Sequence, residues 1–201
     1  MATEIVSKNV RHTFLVGRRI YLRPMEMPDL KGPYFDWLND YEVTRFLETG
    51  SFPTTRATLR HYLESVARHP ENVMLAILDK KTGTHVGNIK LGPIHPIHRR
   101  GDVGIMIGDK KFWGKGYGSE AIALIVEYGF KRLNLHKITL GVYADHTPAV
   151  RVYQKLGFVI EGILKEQLFR DGQFRDKAVM GILRTDYTAK KQTKNSNGHG
   201  A

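Results

Sequence analysis

Short stretches that alternate apolar and polar residues are interleaved along this chain with longer stretches whose apolar residues recur every three or four positions. Strands and helices are therefore expected to alternate rather than segregate. Arg19-Ile-Tyr-Leu-Arg23 alternates and reads as the first strand, stopped by Pro24. Asp29 to Leu38 predicts a helix carrying Leu30, Tyr34, Trp37 and Leu38, with an irregular start at Gly32-Pro33. After the break at Gly50-Ser-Phe-Pro-Thr-Thr55, Leu59, Tyr62, Leu63 and Val66 predict a second helix, a lid or flank, whose Arg56, Arg60 and Arg68 stay in water.

Val73–Leu78 and His85–Leu91 are expected to form a hairpin through the turn-prone Asp79–Thr84. A loop with Pro93 and Pro96 leads to a strand at Asp102–Ile107, and Gly118–Leu133 is so rich in apolar residues that it predicts a buried helix. Lys137–Val142 supplies another strand. Thr147 is placed to cap a short amphipathic helix with Pro148 in its first turn, Ala149, Val152, Tyr153 and Leu156 on one face, and Gly157 at its end. Phe158–Ile163 and Lys177–Leu183 read as terminal strands around the turn Arg170-Asp-Gly-Gln173. The fold class is mixed α/β (α+β), one domain over residues 19–189, with an N-terminal extension at 1–18 and a polar, mobile tail at 190–201.

With 201 residues the chain can bury one substantial core, and no apolar run approaches the roughly 20 residues that cross a bilayer. The first residues lack a basic segment followed by an apolar one, so a soluble, cytoplasmic protein is expected. The absence of cysteine excludes disulfides, thiolate catalysis and cysteine-bound metal. The formal charge of +11 favours anionic partners, yet the basic residues are dispersed and no nucleic-acid-binding motif accompanies them. Direct nucleic-acid binding is not expected.

Candidate chemistry centres on Trp113-Gly-Lys-Gly-Tyr-Gly118, between a strand and a helix. Glycines at 114, 116 and 118 let several backbone amides approach a phosphate, and the following helix terminus favours negative charge. The same spacing also suits an ordinary strand-to-helix turn. It is not a nucleotide-triphosphate loop.

Taken in order, Asp102-Val-Gly-Ile105, Phe112-Trp-Gly-Lys-Gly-Tyr-Gly-Ser-Glu-Ala121 and Pro148-Ala-Val-Arg-Val-Tyr-Gln-Lys-Leu-Gly-Phe158 resemble the acetyl-CoA-dependent N-acetyltransferases of the GNAT superfamily. The resemblance spans Arg19 to Arg184 and points to the superfamily's ribosomal-protein acetylase-like branch. It implies a single domain with a largely antiparallel sheet flanked by helices and with strands that splay around the CoA arm. It further implies that Ile105, Met106 and Ile107 pair with pantetheine and that Trp113, Gly114, Lys115, Gly116, Tyr117, Gly118 and Ser119 receive the pyrophosphate. His146 stands where the family commonly has an asparagine beside the cofactor. Tyr153 falls where the family places a general acid for the departing thiolate. Asp102 matches an acidic position at the start of the cofactor-side strand and is the first candidate for the base that frees the amine of its proton. Packing for Tyr153, an edge carboxylate for Asp102 and a helix-dipole role for Glu120 are the structural alternatives.

The same resemblance directs the acceptor to the N-terminal half, where Trp37, Tyr41, Arg45 and Phe46 are the candidate substrate-binding residues. His95, His98, Arg99 and Arg100 form a basic cluster suited to an anionic substrate or to a solvent loop, without metal-ligand spacing. Acetyl-CoA is the expected cosubstrate, with no metal. A small-molecule amine or nucleotide-linked amino sugar is the first-ranked acceptor and a protein N terminus the second, with polyamines and aminoglycosides further possibilities. A CoA-binding or interaction module without turnover is the non-enzymatic alternative, and a homodimer is compatible with the family.

Overall fold

The computed structural model describes residues 12–188. They fall into two compact units, one running through Pro93 and adding Gly104–Ile125, the other made of Ile94–Val103 and the chain from Val126 onward. One strand and one helix run through both. The tail expected at 190–201 lies outside the described residues.

In the first unit, β1 (Leu15–Val16), β2 (Ile20–Pro24), β3 (Val73–Asp79) and β4 (His85–Leu91) are neighbours in that order, with β5 (Arg100–Ile107) next to β4. The pairings β1–β2, β2–β3 and β3–β4 are antiparallel. The strand expected first is therefore second, because Leu15 and Val16 pair with Leu22 and Tyr21 inside the stretch expected as an extension. Two residues are too few to show a period. The β3–β4 hairpin forms as expected, and in its turn the Asp79 carboxylate accepts from the Thr82 amide and hydroxyl.

The helix expected at Asp29–Leu38 is broken into a 3₁₀ turn at Met27–Lys31 and a short α1 at Tyr34–Leu38. Pro33 forces the break, since the residue before a proline is driven out of helical geometry, and Gly32 is extended. After α2 (Tyr41–Thr44), α3 (Arg56–Arg68) opens on a reciprocal cap in which Thr55 and Thr58 bond each other's backbone. Its Leu59 and Leu63 pack with Leu30, Tyr34, Trp37, Leu38, Val43 and Met106. Arg56 is exposed but not idle: it donates to the Leu30 carbonyl at 2.7 Å and lies 4.4 Å from the Phe35 ring centre.

In the second unit the order is β5, β6 (Lys137–Tyr143), β8 (Gln173–Leu183) and β7 (Val159–Arg170). Here β5 and β6 are parallel, with Arg100–Asp102 against Lys137–Thr139, and the ladder ends there although both strands continue. The other pairings are antiparallel. The terminal strands run all the way to the Arg170–Gln173 turn, longer than the sequence suggested. β7 is an edge strand exposed over most of its length, so no buried face imposes an alternation on it. The helix α5 (Thr147–Leu156) is capped by His146 rather than Thr147, which is already helical, and Gly157 closes it at φ 107°. The long helix α4 (Tyr117–Lys131) buries Ala121, Ile122, Ile125, Val126 and Phe130, as its composition required.

Candidate active site

The phosphate-loop candidate begins with a 3₁₀ turn at Lys110–Phe112, capped by the Asp109 carboxylate on the Lys111 amide. The Trp113 indole N–H then donates to the Ile107 carbonyl at 2.7 Å, which pins the loop to the end of β5. Gly114 and Gly116 adopt φ of 70° and 80°, the left-handed region open to glycine at little cost. A side chain at Gly114 would meet nothing within 4 Å. Since α4 starts at Tyr117, the amides of Tyr117, Gly118 and Ser119 have no carbonyl of the same helix to bond. An open turn with two left-handed glycines feeding a 15-residue helix fits a pyrophosphate. Lys115 is exposed, its ammonium 6.0 Å from the Phe112 ring centre.

Two partners of this loop, Asp79 and Arg19, were not singled out by the sequence. Tyr117 donates to Asp79 at 2.6 Å, and Arg19 bonds the carbonyls of Lys115 and Gly116. Glu120, expected only to favour the helix dipole, is ion-paired with Arg19 at 2.9 Å. Burial alone would raise its pKa, but hydrogen bonds from the Arg19 and Arg18 amides and the Arg19 guanidinium hold it below the usual carboxylate range. Partners about a hundred residues apart leave no local signal.

The first unit also contains a cavity of about 400 Å³ between α1, α3, β4 and β5. Its apolar lining includes Leu38, Leu59, Ile89, Ile105 and Met106, and Gly104 leaves open space on β5. Among the described residues its polar lining consists of Tyr34, Tyr62, Thr49, Thr54, Thr58, Asn88 and Lys90, with no carboxylate. Burial raises the pKa of both tyrosines, which keeps them neutral donors. Asn88 is 4% exposed, and the His85 Nε2 lies 2.8 Å from its Oδ1 and 3.0 Å from the Gly87 carbonyl. Only a protonated Nε2 can donate to that carbonyl. Burial lowers the pKa of His85, so the ring is neutral with its proton on Nε2.

The candidate acceptor residues are placed differently from one another. Trp37 is 8% exposed and belongs to the core, edge-on to His85 at 5.0 Å and so close to Gly108 that a Cβ there would sit 1.9 Å from the indole. Tyr41 is 59% exposed, and the Arg45 guanidinium lies 5.1 Å from the Phe46 ring centre. None of these four is among the residues lining the cavity, whereas Ile105 and Met106 are.

Tyr153 and Asp102 both belong to the second unit. Tyr153 is partly buried on α5, with its ring 6.0 Å from that of Phe158. Burial, with a smaller contribution from the Asp102 charge, pushes its phenol up to about 12. Asp102 accepts from the Thr139 hydroxyl at 3.0 Å. The His146 amide donates to the Tyr143 carbonyl at the start of α5. His95 and His98 stack at 4.2 Å and Arg99 reaches Asn134, so the basic cluster is partly tied down. Among the described residues no group of three or more histidines and carboxylates is placed to hold a metal ion, and no helix is long and apolar enough to cross a membrane.

Comparison with known proteins gives a consistent picture. Residues 19–159 match the model of the acetyltransferase (GNAT) domain. The spermidine N(1)-acetyltransferase of Escherichia coli K12 is 31% identical over 175 residues, 87% of this chain and 91% of that protein. The crystal structure of spermidine N-acetyltransferase from Vibrio cholerae in complex with CoA and spermine superposes with a TM-score of 0.78 at 28% identity, covering 85% of this chain and 98% of that one.

Proposed function

The chain belongs to the GNAT acetyltransferases and is an acetyl-CoA-dependent N-acetyltransferase, and from that premise we propose that its acceptor is a small aliphatic amine, a polyamine first. The observation that carries this choice is the likeness over nearly the whole chain to the spermidine acetyltransferases of Escherichia coli and Vibrio cholerae. It reverses the order expected from the sequence, which put a nucleotide-linked amino sugar ahead of a polyamine and favoured the ribosomal-protein acetylase-like branch. Net charge was a weak guide, because dispersed surface charges are screened beyond roughly 10 Å and do not report on a pocket. The non-catalytic alternative gives way to an enzyme.

Acetyl-CoA supplies an acyl thioester already reactive toward a neutral amine. The amides at Gly114–Ser119 hold its pyrophosphate, with Lys115 adding positive charge, and the backbone of Ile105–Ile107 pairs with its pantetheine arm. His146, at the head of α5, is a further cofactor candidate, standing where the family commonly has an asparagine. Asp102, held by the Thr139 hydroxyl, takes the proton that the amine must lose. The Tyr153 Oη keeps its own proton throughout the neutral range and offers it to the departing sulfur. An ordinary thiol titrates near about 8.5, below the raised phenol, so the shared proton stays nearer the tyrosine oxygen. Tyr153 therefore acts as a hydrogen-bond donor at that sulfur.

One observation favours a second acceptor class. The cavity offers three threonines, two tyrosines, Asn88 and Lys90, and among the described residues its lining includes no carboxylate to receive the further ammonium groups of a polyamine. An amine that carries hydroxyl or anionic groups, such as an amino sugar, suits that lining. Intact-mass measurement separates the two: the enzyme is incubated with acetyl-CoA and, separately, polyamines, nucleotide-linked amino sugars, aminoglycosides and peptides with free N termini. Acetyl gain and matched CoA release with spermidine or spermine support the first reading. Gain confined to amino sugars replaces it with the second.

A further inference from the structure

We propose that Arg19 is the positioning residue of the phosphate loop: it does not bind the cofactor's phosphates but turns the loop's amides toward them. The inference rests on reading Gly114–Gly118 as the pyrophosphate cradle. Arg19 Nε bonds Glu120 Oε2 at 2.9 Å, Nη1 bonds the Lys115 carbonyl, and Nη2 bonds the Gly116 carbonyl at 3.2 Å. Its backbone amide donates to the other Glu120 oxygen at 2.8 Å. All three nitrogens of the guanidinium are thus engaged with the loop and the first turn of α4.

The consequence follows from peptide geometry. In a trans peptide the C=O and the N–H of the next residue point in opposite directions across one plane. Holding the Lys115 carbonyl on the Arg19 side aims the Gly116 N–H away from Arg19, and holding the Gly116 carbonyl there does the same for the Tyr117 N–H. Two adjacent donors are thereby presented on one side of the loop. The Gly116 carbonyl also accepts the first bond of α4, from the Glu120 amide at 3.1 Å, so loop and helix share one anchor.

Arg19 has a second effect on the same site. A carboxylate in the first turn of α4 repels an anion bound at that helix end, and the ion pair with Arg19 neutralises Glu120 where it stands. The fit is close. A Cβ at Gly17 would lie 2.3 Å from Glu120 Oε1, and one at Gly116 would lie 2.8 Å from Arg19 Nη2. Neither approach survives a larger residue without movement.

The test compares CoA with pantetheine, which lacks the pyrophosphate, by equilibrium binding to the wild type, Arg19→Gln and Arg19→Lys, each checked for cooperative thermal unfolding. Loss of charge-assisted bonds that set two amides is expected to weaken CoA binding by about tenfold or more in Arg19→Gln. Pantetheine binding should stay within about twofold of the wild type. Arg19→Lys keeps the charge but lacks the fork for two carbonyls and should resemble Arg19→Gln. Full recovery of CoA affinity in the lysine variant overturns the fork-based role, and equal loss for both ligands leaves Arg19 a merely structural residue. A wild type that binds CoA no better than pantetheine removes the cradle reading itself. A wild type that favours CoA strongly, with Arg19→Gln unchanged, removes only the role of Arg19.

Discussion

Tyr117, the first residue of α4, donates its phenolic hydrogen to Asp79, the last residue of β3, at 2.6 Å. This bond fastens the start of the helix that follows the glycine loop to the sheet. Asp79 is 4% exposed, and its other oxygen accepts from Thr82, so the carboxylate is supplied with donors on both sides. Burial alone would raise its pKa, yet the hydrogen bonds from Tyr117 and Thr82 hold it below the usual carboxylate range.

Tyr117→Phe removes one donor from this buried charge. The expected cost is about 2 kcal/mol, or about 4–8 °C in the melting temperature of a chain this size. The acid side follows from the direction of the shift: the stabilisation is fully present above the ordinary carboxylate pKa and disappears as pH falls through the depressed native value. Thermal melts from neutral to acid pH should therefore show a smaller acid-dependent loss in Asp79→Asn than in the wild type.

At alkaline pH the tyrosines dominate. Hydrogen bonding to Asp79 pushes Tyr117 up to about 12, and burial brings Tyr153 to about 12. Raised phenols contribute stability that is whole below their unfolded value near about 10 and is lost as pH rises through the native value. Melting temperature should fall between about pH 10 and 12, and Tyr153→Phe should flatten part of that decline. The same variant should lose about a hundredfold in kcat at neutral pH. Wild-type turnover in Tyr153→Phe would remove its role at the sulfur.

The loop glycines should separate by their surroundings. Gly114→Ala faces open space and carries only the strain of a positive φ, about 1 kcal/mol. Gly116→Ala has that strain and also drives a methyl against the Arg19 guanidinium. Steady-state kinetics should show KM for acetyl-CoA rising several-fold more in Gly116→Ala.

Gly104 gives an independent test of whether the cavity takes the acceptor. A Cβ there meets nothing within 4 Å, and the residue lines the cavity on β5. Gly104→Leu should fold and should raise KM for the amine by about tenfold or more as the side chain fills space that the acceptor needs. An unchanged KM for the amine would place the acceptor elsewhere.

The α3 helix shows why much of the fold could be read in advance. Leu59 and Leu63 repeat at helical spacing and are buried, and Thr55 caps the helix from a position adjacent in sequence. Strand β7 shows the opposite. Exposed along most of its length and bulged at two places, it carries no periodic burial to mark its extent. The glycine turn before α4 was legible because glycine spacing encodes backbone geometry locally. Arg19, Asp79 and the cavity lining were not, because each acquires its role from partners far along the chain.

The sequence by itself determined the order of the strands from β2 onward and of α3, α4 and α5, the hairpin at Asp79–Thr84, the buried character of α4 and the glycine loop before it. Each follows from local rules: side-chain period, proline and glycine backbone limits, and the terminal field of a helix. The tertiary structure alone decided that Trp37 is a core residue closed against Gly108, and that, among the described residues, seven polar side chains and no carboxylate line the cavity. It also decided that Glu120 is neutralised by an arginine from β2's threshold. Burial and pairing are properties of contacts between distant segments, and those contacts exist only once the chain has folded.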